Sequence, residues 1–574
     1  MRRITLSSTL VVLFCLGCFL APGAWMIVSL PSTYIAQFCV IATVLVSLGC
    51  ASVGLLVVCK PSRQAVIVFG LTVAAILIAL LTNAFPFQQF FYDIYGEMPG
   101  YLWLTYPVTF LIAASLPLTK DTRKGLMAIC AVGSVLILTG CIERYYTAWM
   151  SVFGSVAYAP VALIPIPILM LGIAAATSSK AWWWRLGAVL ATVGIVLFSY
   201  GLIGIFSAVV ALGALGAFAP KLLGGRRNGV LRCIRVCGAF LLMAAIGGVL
   251  FLSIPLLSNR VVSLKQAQSF EQTLGSRIEM WHGAQDMFVA RPWTGYGPGG
   301  YRFNAIRFLP TQIFSRIESL GDDPVAFSPP SPHSLLWEIL TRLGIVGFAL
   351  LSIGAVLWVR TLKSTHGEPQ DAHSLRLSCA IAAFAFCAVT VVTPFHFASG
   401  LIGALCAGIA LAPLGGVRDC SSSDAGLSRH SVWHVASFVV CCLLLVTCAY
   451  MTINLQRTTA EVSSANEDLL RLQQITRVLP MHPFLERRIV ECSLLVADSA
   501  QESNTQLQRA MDAPGYVSGY GPNLVRFAQI GLDNLEYFHS NDQTVVSEML
   551  ERAQHLMPLT PPLQNEQRRL EKHP

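Results

Sequence analysis

The chain has 574 residues, of which 55% are hydrophobic and only 12% charged, and its mean hydropathy is +0.63. That charge share is about half of what a soluble globular protein carries. A string of soluble domains, a disordered chain and a secreted disulfide scaffold are excluded. An all-α polytopic membrane protein remains, because only helices or closed barrels satisfy the backbone inside lipid.

The net charge of +9 comes from short basic clusters between apolar runs. Such spacing reads as membrane orientation rather than as a nucleic-acid footprint, so no nucleic-acid partner is expected. Most of the 17 cysteines, among them Cys15, Cys18, Cys39, Cys50, Cys59, Cys441 and Cys442, lie inside apolar runs. There cysteine acts as a small hydrophobe. The Cys15–Cys18 pair has no second pair to complete a metal site.

Met1-Arg2-Arg3 precedes a long apolar stretch without a clean cleavage site, which reads as a retained first span starting in the cytoplasm. Apolar runs of about 17–25 residues give about 13 transmembrane helices. They fall near 4–30, 34–59, 64–84, 101–118, 125–142, 152–177, 184–199, 202–220, 236–257, 334–359, 377–394, 397–414 and 433–453. Connections from odd to even spans are poor in Lys and Arg. Those from even to odd spans are basic: Lys60 and Arg63; Lys120, Arg123 and Lys124; Lys180 and Arg185; Lys221, Arg226, Arg227, Arg232 and Arg235; Arg360, Lys363 and Arg376; Arg418 and Arg429. The amino terminus is therefore expected in the cytoplasm and the carboxyl terminus outside, in a multi-pass protein of the cell membrane.

Four regions follow: N-terminal spans over 1–257, an extracytoplasmic loop over 258–333, C-terminal spans over 334–453, and an extracytoplasmic tail over 454–574. The outer aromatic segment Phe87 to Tyr101 reads as an interfacial belt. In the tail, Leu469, Leu472, Ile475 and Val478 make a one-faced apolar stripe. Breaks near Pro480, Pro514 and Pro558 are 34 and 44 residues apart, which resembles tetratricopeptide-like helical hairpins.

The loop is the only long polar segment between spans. After Arg260 and Lys265 it reads Gly275-Ser276-Arg277-Ile278-Glu279-Met280-Trp281. The pattern predicts a helix over 276–289 capped by Ser276, with Arg277 and Trp281 on one face. Ala284 and Phe288 continue that face, which would dock on the membrane surface. The stretch from Arg291 through Pro292, Gly295 and Gly297 to Tyr301 is too rich in glycine and proline for a helix. Its glycines would let backbone N–H groups nest an anion. Arg302 and Arg307 follow. Pro329, Pro330 and Pro332 stiffen the approach to His333 at the mouth of the tenth span, which carries Gly344 and Gly347.

This order resembles the bacterial O-antigen ligase and polymerase superfamily, which includes O-linked protein oligosaccharyltransferases. The residues that carry the likeness are Arg277 and Trp281, then Pro292 with Gly295 and Gly297, then His333, then Gly344 with Gly347. Two departures stand out. Ser334 replaces the family's Asn after the His, and Ser199-Tyr200-Gly201 lacks the family's Arg.

The resemblance implies transfer of a glycan from a polyprenyl diphosphate carrier to a hydroxyl of a glycan, lipid or protein. Arg277 and His333 would be catalytic. Arg277, Arg302, Arg307, Gly295 and Gly297 would bind the diphosphate, with Trp281, Pro292 and Ser334 in support. His333 would act as general base or as hydrogen-bond donor. The transfer is expected to be metal-independent, with no cofactor. No Asp-x-Asp pair and no P-loop occur, and Asp322-Asp323 reads as a solvated turn. The alternative is a transporter or flippase for a lipid-linked glycan. Against it stand the lack of a clear internal repeat and the near absence of mid-span charge.

Overall fold

A computed structural model describes residues 11–18, 61–83, 100–146, 163–177, 181–198, 270–310, 331–363, 369–391, 397–413 and, with short gaps, 469–572. The regular elements among the described residues are all helices, with no strand among them. In chain order the helices are α1 (Arg63–Leu81), α2 (Gly100–Ser115), α3 (Lys120–Tyr146), α4 (Pro165–Ala176) and α5 (Ala181–Phe198). Then come α6 (Phe270–Ala290), α7 (Tyr301–Ala305), α8 (Leu335–Lys363), α9 (Gln370–Thr390) and α10 (Phe397–Ile409). The tail holds α11 (Pro483–Leu495), α12 (Ala500–Asp512), α13 (Gly521–Tyr537), α14 (Thr544–Leu556) and α15 (Pro561–Lys572).

Eight predicted spans coincide with α1 to α5 and α8 to α10, and residues 11–18 of the first are helical. The second, eighth, ninth and thirteenth lie outside the described residues, as does nearly all of the Phe87 to Tyr101 belt. By length and composition three described helices can cross a membrane: Arg63–Leu81, Leu335–Leu362 and Gln370–Thr390. Shorter apolar helices cover Trp103–Ser115, Pro165–Ala176 and Gly400–Ile409.

These helices pack in two groups, α1 with α2, α8 and α10, and α4 with α3, α5 and α9, joined where α9 meets α10. Small residues let them approach closely. A side chain on Gly172 would strike Ser378, and one on Gly403 would reach the Phe386 ring at 2.6 Å. Cys15, Cys130, Cys379 and Cys406 are buried as free thiols in the same core.

The packing also joins helix ends that the basic loops assign to one side. Leu118 N–H donates to Pro413 C=O at 2.9 Å, and Arg376 Nη2 donates to Ala412 C=O at 2.7 Å. Arg123 Nη1 reaches Ala176 C=O at 3.5 Å. At the opposite end of α1, Arg291 Nη1 donates to Asn83 Oδ1 at 2.9 Å.

The tenth predicted span is not one helix. At Gly344 the backbone leaves the helical region (φ 65, ψ −170), splitting α8 into a first arm over 335–343 and a second over 345–363. The second arm alone, 19 residues or about 28 Å, suffices for the hydrocarbon layer. Apolar composition runs across the break, so hydropathy does not reveal it.

In the tail, α11, α12 and α13 pack on one another, as do α12, α13 and α14, and then α13, α14 and α15. Helix α12 ends at Asp512 before Pro514, and α14 ends at Leu556 before Pro558. A residue before proline is pushed out of the helical region, which explains both stops. Most of the Leu469–Val478 stripe lies outside the described residues.

Candidate functional site

The site is built from α6, the glycine-rich loop after it, and the first arm of α8. Helix α6 starts at Phe270, so Ser276 lies inside it rather than capping it. The spacing of Arg277 and Trp281 holds. Trp281 Nε1 donates to the carbonyl of Pro332 at 3.0 Å, one residue before His333. Of the rest of the expected membrane-facing surface, Ala284 is fully buried and Phe288 half-buried, and the adjacent Gly283 abuts the Phe308 carbonyl.

The loop after α6 fills the break in α8. In a continuous helix the carbonyls of Thr341 and Arg342 would accept from the amides of Ile345 and Val346. Here Tyr296 N–H donates to Thr341 C=O at 2.8 Å, and Gly297 N–H to Arg342 C=O at 2.9 Å. In exchange, Ile345 N–H donates to Pro292 C=O at 2.8 Å and Val346 N–H to Trp293 C=O at 3.1 Å. Both helical bonds lost at the break are replaced on both sides, so no buried backbone group is orphaned there.

One of the loop amides expected to nest an anion is used inside the protein. The Gly297 amide is spent on Arg342. Gly295 (φ 65) and Gly297 (φ 85) adopt left-handed backbone, and a β-carbon on Gly295 would sit 2.6 Å from the Arg342 and Thr341 carbonyl oxygens. The two glycine motifs, 50 residues apart in sequence, are halves of one interlock.

Beneath the interlock lies a group the sequence reading missed. Arg342 (2% exposed) bonds the Glu338 carboxylate (0% exposed) through Nε and the Pro298 carbonyl through Nη1. Its guanidinium lies 5.5 Å from the Tyr301 ring centroid and 5.7 Å from that of Trp103 on α2. The sequence placed both charges in the tenth span. They belong to its first arm, before the break. Their i,i+4 spacing in an apolar run was the available signal.

His333 has the one positive φ (56°) among the described non-glycine residues, a strained conformation of the kind that collects at functional sites. Its amide donates to Ser331 Oγ at 3.0 Å. Ser334 is buried, and its carbonyl accepts from Glu338 N–H at 2.8 Å as the first arm begins. The His333 ring is sunk into the protein although the residue keeps an exposed edge. Its Nδ1 is buried and has no hydrogen-bond partner among the described residues. Burial, and then the charge of Arg277, push its pKa down from 6.5 to about 4. Arg277 is thus within electrostatic reach of the imidazole. It is half-buried, and burial lowers its own pKa.

Other expected residues stand elsewhere. Arg307 is exposed and, with Arg291, acts on Tyr296 rather than on His333. Arg302 begins the second residue of α7, and its side chain lies outside the described residues, as do Arg260 and Lys265.

Residues 187–352 match the family model for O-antigen ligase. The match supports the O-antigen ligase superfamily for this segment. The match holds the whole interlock, Arg277 and His333. No curated protein matches the chain.

Proposed function

We propose that the chain is a membrane glycan transferase that moves a glycan from a polyprenyl diphosphate carrier to an acceptor hydroxyl, as an O-antigen ligase or a polysaccharide polymerase does, without metal or other cofactor. The observation that carries this reading is the neighbourhood of Arg277 and His333, whose Nδ1 is buried and lacks a partner among the described residues. The family match over 187–352 supports it.

In this reading the anomeric carbon bonds to the acceptor oxygen as its bond to the diphosphate oxygen breaks. The leaving polyprenyl diphosphate keeps the electron pair. Arg277 meets the growing phosphate charge; at about 4 Å and an effective dielectric near 20 this is worth about 4 kcal/mol before desolvation. That caps its contribution at roughly a thousandfold in rate. The acceptor proton passes to the imidazole of His333, which is neutral near pH 7 at a pKa of about 4. A bound diphosphate offsets Arg277 and raises that pKa, so donor binding makes His333 a stronger base.

A flippase reading finds less support. Glu338 and Arg342 pair with each other before the break instead of lining a midplane path. The test is loss of surface glycan in Arg277→Ala and His333→Ala variants that remain inserted in the membrane. Normal glycan in either variant removes that residue from the scheme. Build-up of carrier-linked donor in a deletion strain, with analysis of the missing product, names the acceptor.

A further inference from the structure

The end of α6 presents a second cationic corner. Arg291 lies fourteen residues beyond Arg277, about 21 Å along the helix. Arg291 and Arg307 are both exposed. Arg291 stands 5.4 Å from the Tyr296 ring centroid, and that ring meets Phe308, the neighbour of Arg307, at 6.1 Å. Both guanidiniums counter the upward push of burial on the Tyr296 phenol.

Hydrogen bonds fix the level of this corner. Arg291 is tied to Asn83, just past the end of the apolar helix α1, and the carbonyl of Trp293 takes the amide of Val346 at the start of the second arm of α8. The corner therefore sits where two packed, membrane-length apolar helices both end. Large apolar side chains are exposed at this level: Trp293 (70%), Val289 (67%), Leu81 (72%) and Ile345. Below them Ile78 on α1 and Ile353 and Val356 on α8 continue the exposed apolar surface. Tryptophan beside arginine at the end of a span is the composition of the headgroup layer. A guanidinium forks onto phosphate oxygens.

We propose that Arg291 and Arg307, flanked by Trp293, form a binding site for the phosphate headgroup of a membrane phospholipid, distinct from Arg277 and His333, with the acyl chains lying against α1 and the second arm of α8. One guanidinium nitrogen of Arg291 holds Asn83, and the residue is exposed. The site anchors the end of α6 at a fixed depth, and so sets the height of Arg277 above the bilayer.

The test uses the full chain in nanodiscs of phosphatidylcholine with a minor share of phosphatidylglycerol, and measures by mass spectrometry the phosphatidylglycerol retained per protein. The wild-type chain should enrich the anionic lipid over its bulk share, by up to about thirtyfold for two basic side chains at the surface. Arg291→Gln with Arg307→Gln should return retention to the bulk ratio. The matching lysine pair should keep most of the enrichment, and Arg277→Gln should keep all of it. If the glutamine pair fails to fold, Arg307→Gln alone, at an exposed position, should still lower retention. Enrichment that survives the glutamine substitutions, or that falls equally in Arg277→Gln, overturns the site. Retention needs no glycan transfer, so this result stands or falls apart from the proposed activity.

Discussion

Gly295 and Gly344 share the same positive φ, 65 at each, and each stands where a β-carbon would strike the other's segment. The loop after α6 and the broken helix α8 can close on each other only because both positions lack a side chain.

Alanine at Gly344 should therefore cost about 1–3 kcal/mol for a backbone (φ 65, ψ −170) that essentially only glycine adopts, with the collision against the Trp293 backbone in addition. Gly344→Ala and Gly295→Ala should each lower the melting temperature and abolish glycan transfer. Gly70→Ala on α1, where nothing lies within 4 Å of the added carbon, should leave both unchanged. Full activity in Gly344→Ala would mean that the break is not needed.

The acid limb of the pH–rate profile should report His333. Its folded pKa, about 4, is below the ordinary 6.5, so the unfolded chain binds the extra proton between those values. Stability from this group is complete above about pH 6.5 and is lost as pH falls through 4. In Arg277→Gln the smaller of the two causes is gone, so the pKa should rise part of the way toward 6.5. Titration of the imidazole by NMR in both forms checks the direction.

Breaking the Glu338–Arg342 pair should be costly because it leaves one buried charge alone, typically 3–5 kcal/mol. Glu338→Gln and Arg342→Met should each show this loss. The double substitution Glu338→Leu with Arg342→Met should lose less than the sum. A double-mutant cycle on the denaturation midpoint reads the difference, and strict additivity would rule out direct coupling.

Trp281→Phe keeps an aromatic ring but removes the Nε1 bond to Pro332. A single neutral hydrogen bond is worth about 1 kcal/mol. Transfer should fall about fivefold through kcat, with little change in KM, because the His333 turn loosens while donor contacts persist. A change confined to KM would place Trp281 on the donor instead.

The tail should matter to the loop. Met280, Ile306 and Leu309 share one apolar cluster with Leu494, Leu507, Phe527 and Leu550 of the tail helices. Ile306→Asp buries a carboxylate in that cluster. It should release the tail to limited proteolysis and reduce transfer, whereas substitution of the exposed Tyr537 should do neither.

The helical character of the apolar runs within the described residues, and the order of Arg277, Trp281, the glycine loop and His333, were legible in the chain. Each depends on local composition or on spacing along one helix, which a one-dimensional pattern preserves. The start of α6, the break at Gly344 and the buried Glu338–Arg342 pair were not. The last two depend on partners some 40 to 50 residues away that replace lost helical bonds or cover a charge. Hydropathy sums over neighbours in sequence. Whether a glycine amide faces a ligand or a carbonyl is decided by which backbone the fold lays against it, and here that backbone is α8.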